Sequence, residues 1–151
     1  MKYCGTLLSV SDMEKSKRFY ETVMEQKVIM DLGVHVAFET GLSLQSNYEE
    51  LVGVKLEAHE KPNNFQLYFE VEDLADWETK LKSVEGIEFI HESKEYPWGQ
   101  RVLRFYDYDK FIVEVSESME SVFKRFLAQG LSVEEIAERA MCPIEYVKVF
   151  L

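Results

Sequence analysis

The chain is poor in cysteine, proline and histidine, and in basic relative to acidic residues. Its two cysteines, Cys4 and Cys142, stand near opposite ends without CxxC spacing, which excludes a disulfide framework and a zinc knuckle. The three histidines, His35, His59 and His91, do not cluster along the sequence. Seventeen basic against 28 acidic residues give a net charge of −11, which disfavours nucleic acid and anionic membrane surfaces as partners. No apolar run approaches the ~18 residues of a membrane span, and none follows a basic N-terminal stretch, so a cytoplasmic location is expected. What is present is ordinary for a globular protein: 151 residues, 46% apolar and 30% charged, enough for one domain with an appendage.

Hydrophobic period organises the first three quarters of the chain. Residues 3 to 10 read as a strand, and Ser11-Asp12 opens a helix, with Ser11 and Glu14 at capping-box spacing. Met13, Tyr20, Val23 and Met24 give that helix an apolar face, with Phe19 beside it. β-rich runs follow at 27–30, 34–39 and 42–45, punctuated by Gly33 and Gly41. A polar connector, 46–63, leads to a restart. Residues 65–71 read as a strand, and Asp73 caps a helix carrying Leu74, Trp77, Leu81 and Val84, which ends at Gly86. Three more β-runs cover 88–91, 100–106 and 111–115. Val10 matches Val71, Asp12 matches Asp73, Tyr20 matches Leu81 and Val23 matches Val84 at one offset, so the architecture is an internal repeat.

Residues 117–151 carry helical signals only. Met119, Val122, Phe123, Phe126 and Leu127 form an amphipathic face stopped by Gly130. Ser132 and Glu135 have capping-box spacing, and Pro143 suits the first turn of a last helix.

Val10-Ser11-Asp12-Met13-Glu14-Lys15-Ser16 with Phe19-Tyr20, and Trp98-Gly99-Gln100-Arg101 leading to Asp107-Tyr108-Asp109-Lys110-Phe111 and Glu114, carry a family resemblance. Over roughly residues 3 to 116 the chain resembles the glyoxalase/bleomycin-resistance/extradiol-dioxygenase superfamily, also called vicinal oxygen chelate. The usual Asp-Pro-Asp-Gly-Asn turn is altered here at Tyr108, Lys110 and Phe111. Bacterial members with a similar helical tail extend the likeness and name no reaction. The resemblance implies an α+β fold: paired βαβββ modules (about 1–46 and 64–116) forming a cupped mixed sheet over residues 1–116, plus the helical extension 117–151. It also implies a homodimer as the default assembly.

In that superfamily the first and last strands of each module hold a divalent metal. The resemblance maps those positions onto Gly5, Gln66, Glu114 and either Ser43 or Gln45. Gly5 has no side chain, and no two-histidine-one-carboxylate set is present, so a metal-free pocket is expected. Gln66, Glu114 and Gln45 are the ligands if a metal binds. Strand alternation turns Gln66, Tyr68, Arg104, Tyr106 and Glu114 into the cup, with Trp98 as its lid. The alternative is that the tyrosines are core residues with satisfied hydroxyls and that Arg104 and Glu114 simply pair. His35 is the candidate base for any catalysis, because Val34, Val36 and Phe38 would face the core. Cys4 reads as a small packing residue.

Three functions follow. The favoured one is a metal-independent protein that binds a small organic molecule and needs no cofactor. The second is a metal-dependent glyoxalase-like lyase or isomerase. The third is a regulator, because residues 129–151 resemble a helix-turn-helix. The last helix, however, offers only Glu145, Tyr146 and Lys148 to a partner, and the tail is net acidic, which disfavours nucleic acid. The apolar faces of the tail point instead to docking on the sheet domain or on a second subunit.

Overall fold

The computed structural model describes residues 1–151, which divide into two compact units: Met1–Lys61 with Tyr108–Lys110, and Pro62–Asp107 with Phe111–Leu151. Each unit carries a four-stranded mixed sheet of one topology, so the architecture is α+β with two βαβββ modules and C-terminal helices.

In the first unit, β1 (Thr6–Ser9), β2 (Val28–Asp31), β3 (His35–Phe38) and β4 (Leu42–Gln45) lie in the order β1-β4-β3-β2. β1 and β4 are parallel, and the other pairs are antiparallel. Alternation sends Leu8, Val36, Phe38 and Leu44 to the helix side, where all are buried. Helix α1 (Met13–Arg18) runs into a π-helical turn at Phe19–Val23. That wider turn buries Phe19 as well as Tyr20, whose rings meet edge to face at 5.1 Å.

Asp12, not Ser11, caps α1: its carboxylate accepts from the Lys15 amide at 3.0 Å. Ser11 has another partner, because its amide and hydroxyl both donate to Asp109 Oδ1, at 2.8 and 2.7 Å. Ser16 donates to Asp109 Oδ2 at 2.8 Å, so the turn 108–110 is fastened to the start of α1. Helix α2 (Tyr48–Val52) supplies the one structured turn of the connector. Cys4 is exposed, so it does not pack, and Val34 is half exposed because it lies just outside β3 in the turn from β2.

In the second unit, β5 (Gln66–Val71), β6 (Glu88–Glu95), β7 (Arg101–Tyr106) and β8 (Ile112–Glu117) follow the order β5-β8-β7-β6, with β5 and β8 parallel. Helix α3 (Leu74–Lys82) begins where Asp73 accepts from the Ala75 and Asp76 amides, both at 3.0 Å. It ends four residues before Gly86. There the Ser83 and Val84 amides turn back to the carbonyls of Lys80 and Leu81, tightening the last turn. Leu103, Phe105, Val113 and Val115 are fully buried on the helix side of the sheet.

Helices α4 (Met119–Ala128), α5 (Val133–Arg139) and α6 (Ile144–Phe150) belong to the same unit. Val122, Phe123, Phe126, Ile136, Ala137, Ala140 and Val147 form their shared core. Ser132 and Glu135 make the full capping box of α5. Leu127 points away from that core and is half exposed. Pro143 sits one place before α6, at its N-cap, in extended backbone.

Candidate functional site

The face of the second sheet opposite its helix is polar, and its register can be read directly. Tyr68 pairs with Glu114, Glu114 with Arg104, and Arg104 with His91. Those four side chains therefore form one row across β5, β8, β7 and β6. Gln66 stands beside the row and donates from Nε2 to Glu114 Oε2 at 2.8 Å, while its Oε1 accepts from Arg104 Nε at 3.1 Å. Arg104 also pairs with Glu114 through Nη2. Its Nη1 donates to the Tyr96 hydroxyl and to His91 Nε2, the latter at 3.1 Å. A guanidinium only donates and a carbonyl only accepts. The His91 proton therefore sits on Nδ1, 2.8 Å from the Glu92 carbonyl.

Glu114 is buried, Arg104 half-buried and Gln66 exposed. Four protein partners (Gln66, His91, Tyr96 and Glu114) take four of the five guanidinium hydrogens, leaving one on Nη2. Glu114 Oε2 takes both donors, and Oε1 keeps its acceptor capacity. The two opposite charges are paired, and the row keeps one guanidinium hydrogen and one carboxylate oxygen outside these bonds.

Aromatic groups flank the row. Tyr96 and Trp98 stack at 4.8 Å and 30°, and the Arg104 guanidinium lies 5.4 Å from the Tyr96 ring. The Trp98 indole donates to Gln100 Oε1 at 3.0 Å, and Gln100 Nε2 donates to the Tyr68 hydroxyl at 3.3 Å. Tyr68 is half exposed. Burial and a hydrogen bond to Glu70 raise its hydroxyl pKa above 10.0. Tyr106 is buried, with its hydroxyl donating to Asn63 Oδ1 at 2.6 Å, which is the behaviour of a satisfied core tyrosine.

The structure thus gathers Gln66, Tyr68, Arg104, Glu114 and Trp98 with Tyr106 at the margin. It places His35 and Gln45 in the other unit, where His35 Nδ1 meets Gln45 Oε1 at 3.0 Å. Of the histidines, His91 rather than His35 belongs to the Arg104 row. Sequence reasoning missed His91, Tyr96 and Gln100. The signal for His91 was its strand position, one register step from Arg104.

The residues do not fit a divalent metal. A Cβ on Gly5 would lie 1.9 Å from the Gly41 carbonyl oxygen, and Gly5 has φ +150, so no side chain can stand there. Glu114 already holds a guanidinium, whose charge repels a cation. No three His, Cys, Asp or Glu side chains converge anywhere in the chain. By register Ser43, not Gln45, is the counterpart of Glu114: Leu7 pairs with Ser43 as Tyr68 pairs with Glu114.

A cleft of about 230 Å³ lies elsewhere in this unit, lined by Glu72, Asp73, Glu78, Ser93, Arg101 and Glu117 among others. Its acidic lining and lack of aromatic walls make it a poor organic-ligand site. On α6 the one cation, Lys148, is paired with Glu145 at 2.9 Å. No helix is long and apolar enough to cross a membrane.

Residues 3–120 match the family model described as a glyoxalase-like domain. An Agrobacterium tumefaciens protein of unknown function is 33% identical, with a TM-score of 0.70 over 78% of this chain and 94% of that one. A glyoxalase-related enzyme from Fulvimarina pelagi is 21% identical, with a TM-score of 0.65 over 78% and 88%. A lactoylglutathione lyase from Agrobacterium tumefaciens is 22% identical, with a TM-score of 0.58 over 78% and 94%. The last two show likeness of fold. None of the curated proteins matches the chain.

Proposed function

The chain belongs to the glyoxalase-like family, and from that premise we propose that it is a metal-independent protein that binds a small organic molecule on the polar face of its second sheet. One observation carries the reading. Gln66 and Glu114, which the family resemblance marks as metal ligands, are bonded to each other and to Arg104. A tethered guanidinium occupies lone pairs of Gln66 Oε1 and Glu114 Oε2 that a metal would need. The row keeps one guanidinium hydrogen and one carboxylate oxygen for a ligand, in a unit that also presents the stacked Tyr96 and Trp98 and the half-exposed Tyr68. That chemistry suits a planar, uncharged molecule with an acceptor and a donor on one edge, such as an amide or lactam.

The working state we propose is a cytoplasmic homodimer. Two unpaired thiols are consistent with a reducing compartment. Exposed Ile29, Leu32 and Val34 on and beside the edge strand β2 support burial against a second copy.

The test is thermal stability of metal-stripped protein, first with Mg²⁺, Mn²⁺, Ni²⁺, Zn²⁺ and Fe²⁺, then with small aromatic amides, lactams and carboxylates. The expected result is a saturable rise with an amide or lactam that Arg104→Ala abolishes, and none with metals. A stoichiometric metal whose stabilisation vanishes in Glu114→Ala would overturn the reading in favour of lyase or isomerase chemistry.

A further inference from the structure

The loop Tyr96–Gly99 carries the aromatic wall of the candidate site, and the C-terminal helices hold that loop. The family match ends at residue 120, so nearly all of the helical extension lies outside it. Phe126 on α4 is fully buried in the tail core, yet its ring also presses on the loop. A Cβ at Gly99 would come within 2.1 Å of Phe126 Cζ. Arg125, its neighbour, donates through Nη2 to the Gly99 carbonyl at 2.5 Å and to Glu117 at 3.1 Å. Through Nη1 it reaches Glu95 at 3.3 Å, and Arg139 of α5 reaches the other oxygen of Glu95 at 3.4 Å. Gly99 at one end of the loop, and Glu95, the last residue of β6 before the other, are therefore both gripped from the tail.

Inside the loop there is little slack. The Gly99 amide donates to the Tyr96 carbonyl at 2.8 Å, and the Tyr96 amide to the Gln100 carbonyl at 2.9 Å. Tyr96 stacks on Trp98 and accepts from Arg104. Gln100 links Trp98 to Tyr68 and to the Glu117 carbonyl. A continuous set of packed and hydrogen-bonded groups thus runs from Arg125 and Phe126 through Gly99 to Tyr96 and Arg104.

We propose that the helical tail is a positioning element for the site. Arg125 and Phe126 fix the Tyr96–Gly99 loop, and through it the Tyr96–Arg104 contact, so tail docking and the geometry of the site are coupled. This rests on the functional reading above for what the site does. The coupling itself is a property of the unliganded chain. By reciprocity a molecule that needs the loop in place also favours the docked tail.

The test uses the full chain in a Trp77→Phe background, where Trp98 is the sole indole. Two signals are followed: acrylamide quenching of Trp98, and the Arg104 Nε–H NMR resonance. Arg125→Ala and Glu95→Gln are each expected to raise the quenching constant about twofold, as for a locally freed loop. Both should shift the Arg104 resonance while far-UV circular dichroism is unchanged. If either signal stays at its parent value in both variants, the coupling is refuted. Should Arg125→Ala fail to fold, Glu95→Gln decides by the same two signals. No ligand enters the measurement, so this proposal can fail while the binding reading stands, and the reverse also holds.

Discussion

The two sheets have the same strand order and the same pairing, yet the corresponding rows across them differ completely in chemistry. In the first unit the row is Leu7, Ser43, Ala37 and Met30; in the second it is Tyr68, Glu114, Arg104 and His91. The helix-facing side is apolar in both, because that side supplies the hydrophobic stabilisation of each module. The difference teaches that the repeated frame is maintained by one face and leaves the other free to diverge. Only the second unit invested that face in charge, and only that unit carries the tail.

Three experiments break or sharpen this contrast. Gly5→Ala in the first unit should cost the most, on the order of 3 kcal/mol or more, because its Cβ would enter the Gly41 carbonyl at a positive φ. Its counterpart Gln66→Ala in the second unit removes only an exposed hydrogen-bonding group and should cost about 1 kcal/mol. Urea denaturation of both variants measures the ratio, and equal losses would contradict the contrast at that position.

Next comes the row itself. Glu114→Ala leaves the half-buried Arg104 without its carboxylate, at a cost of about 2 kcal/mol, below the usual range for fully buried pairs because water reaches the guanidinium. Ser43→Ala at the matching place should stay within about 0.5 kcal/mol. The same denaturation experiment decides, and a costly Ser43→Ala would show hidden structure in the first row.

The smallest effect concerns the tail. Hydrogen bonds from the Ser132 amide and hydroxyl hold Glu135 below its ordinary pKa of 4.5. A depressed carboxylate contributes stability that is complete above the unfolded value. That contribution is lost as pH falls from about 4.5 through the folded value. Tail helicity should therefore decline in that window, and Glu135→Gln, which keeps the capping geometry, should flatten the decline. Circular dichroism against pH reads it, and identical profiles for the two proteins would count against the assignment.

Much of this was legible in the sequence where a local rule acts alone. The offset pairing Tyr20 with Leu81 holds, as both are fully buried. Alternation along β7 correctly turned Leu103 and Phe105 to the core and Arg104 to the other face. It failed where a distant partner decides. Ser11 has a capping spacing, but Asp109 claims it from 98 residues away. Nothing local to Gly99 says that Phe126 forbids it a side chain. Tyr96 and His91 joined the site through Arg104, a contact set by the folding of β6 against β7 and by the loop between them.

The hydrogen bond between Gln66 and Glu114 closes the second unit, because it joins the first strand of that module to the last across 48 residues of chain. Contacts of long sequence separation form late and slowly, since the chain must lose loop entropy before they hold. The row of Tyr68, Glu114 and Arg104 is therefore assembled only once β8 has paired with β5 and β7. The Gln66–Glu114–Arg104 bonds thus mark the completion of that unit rather than any step before it.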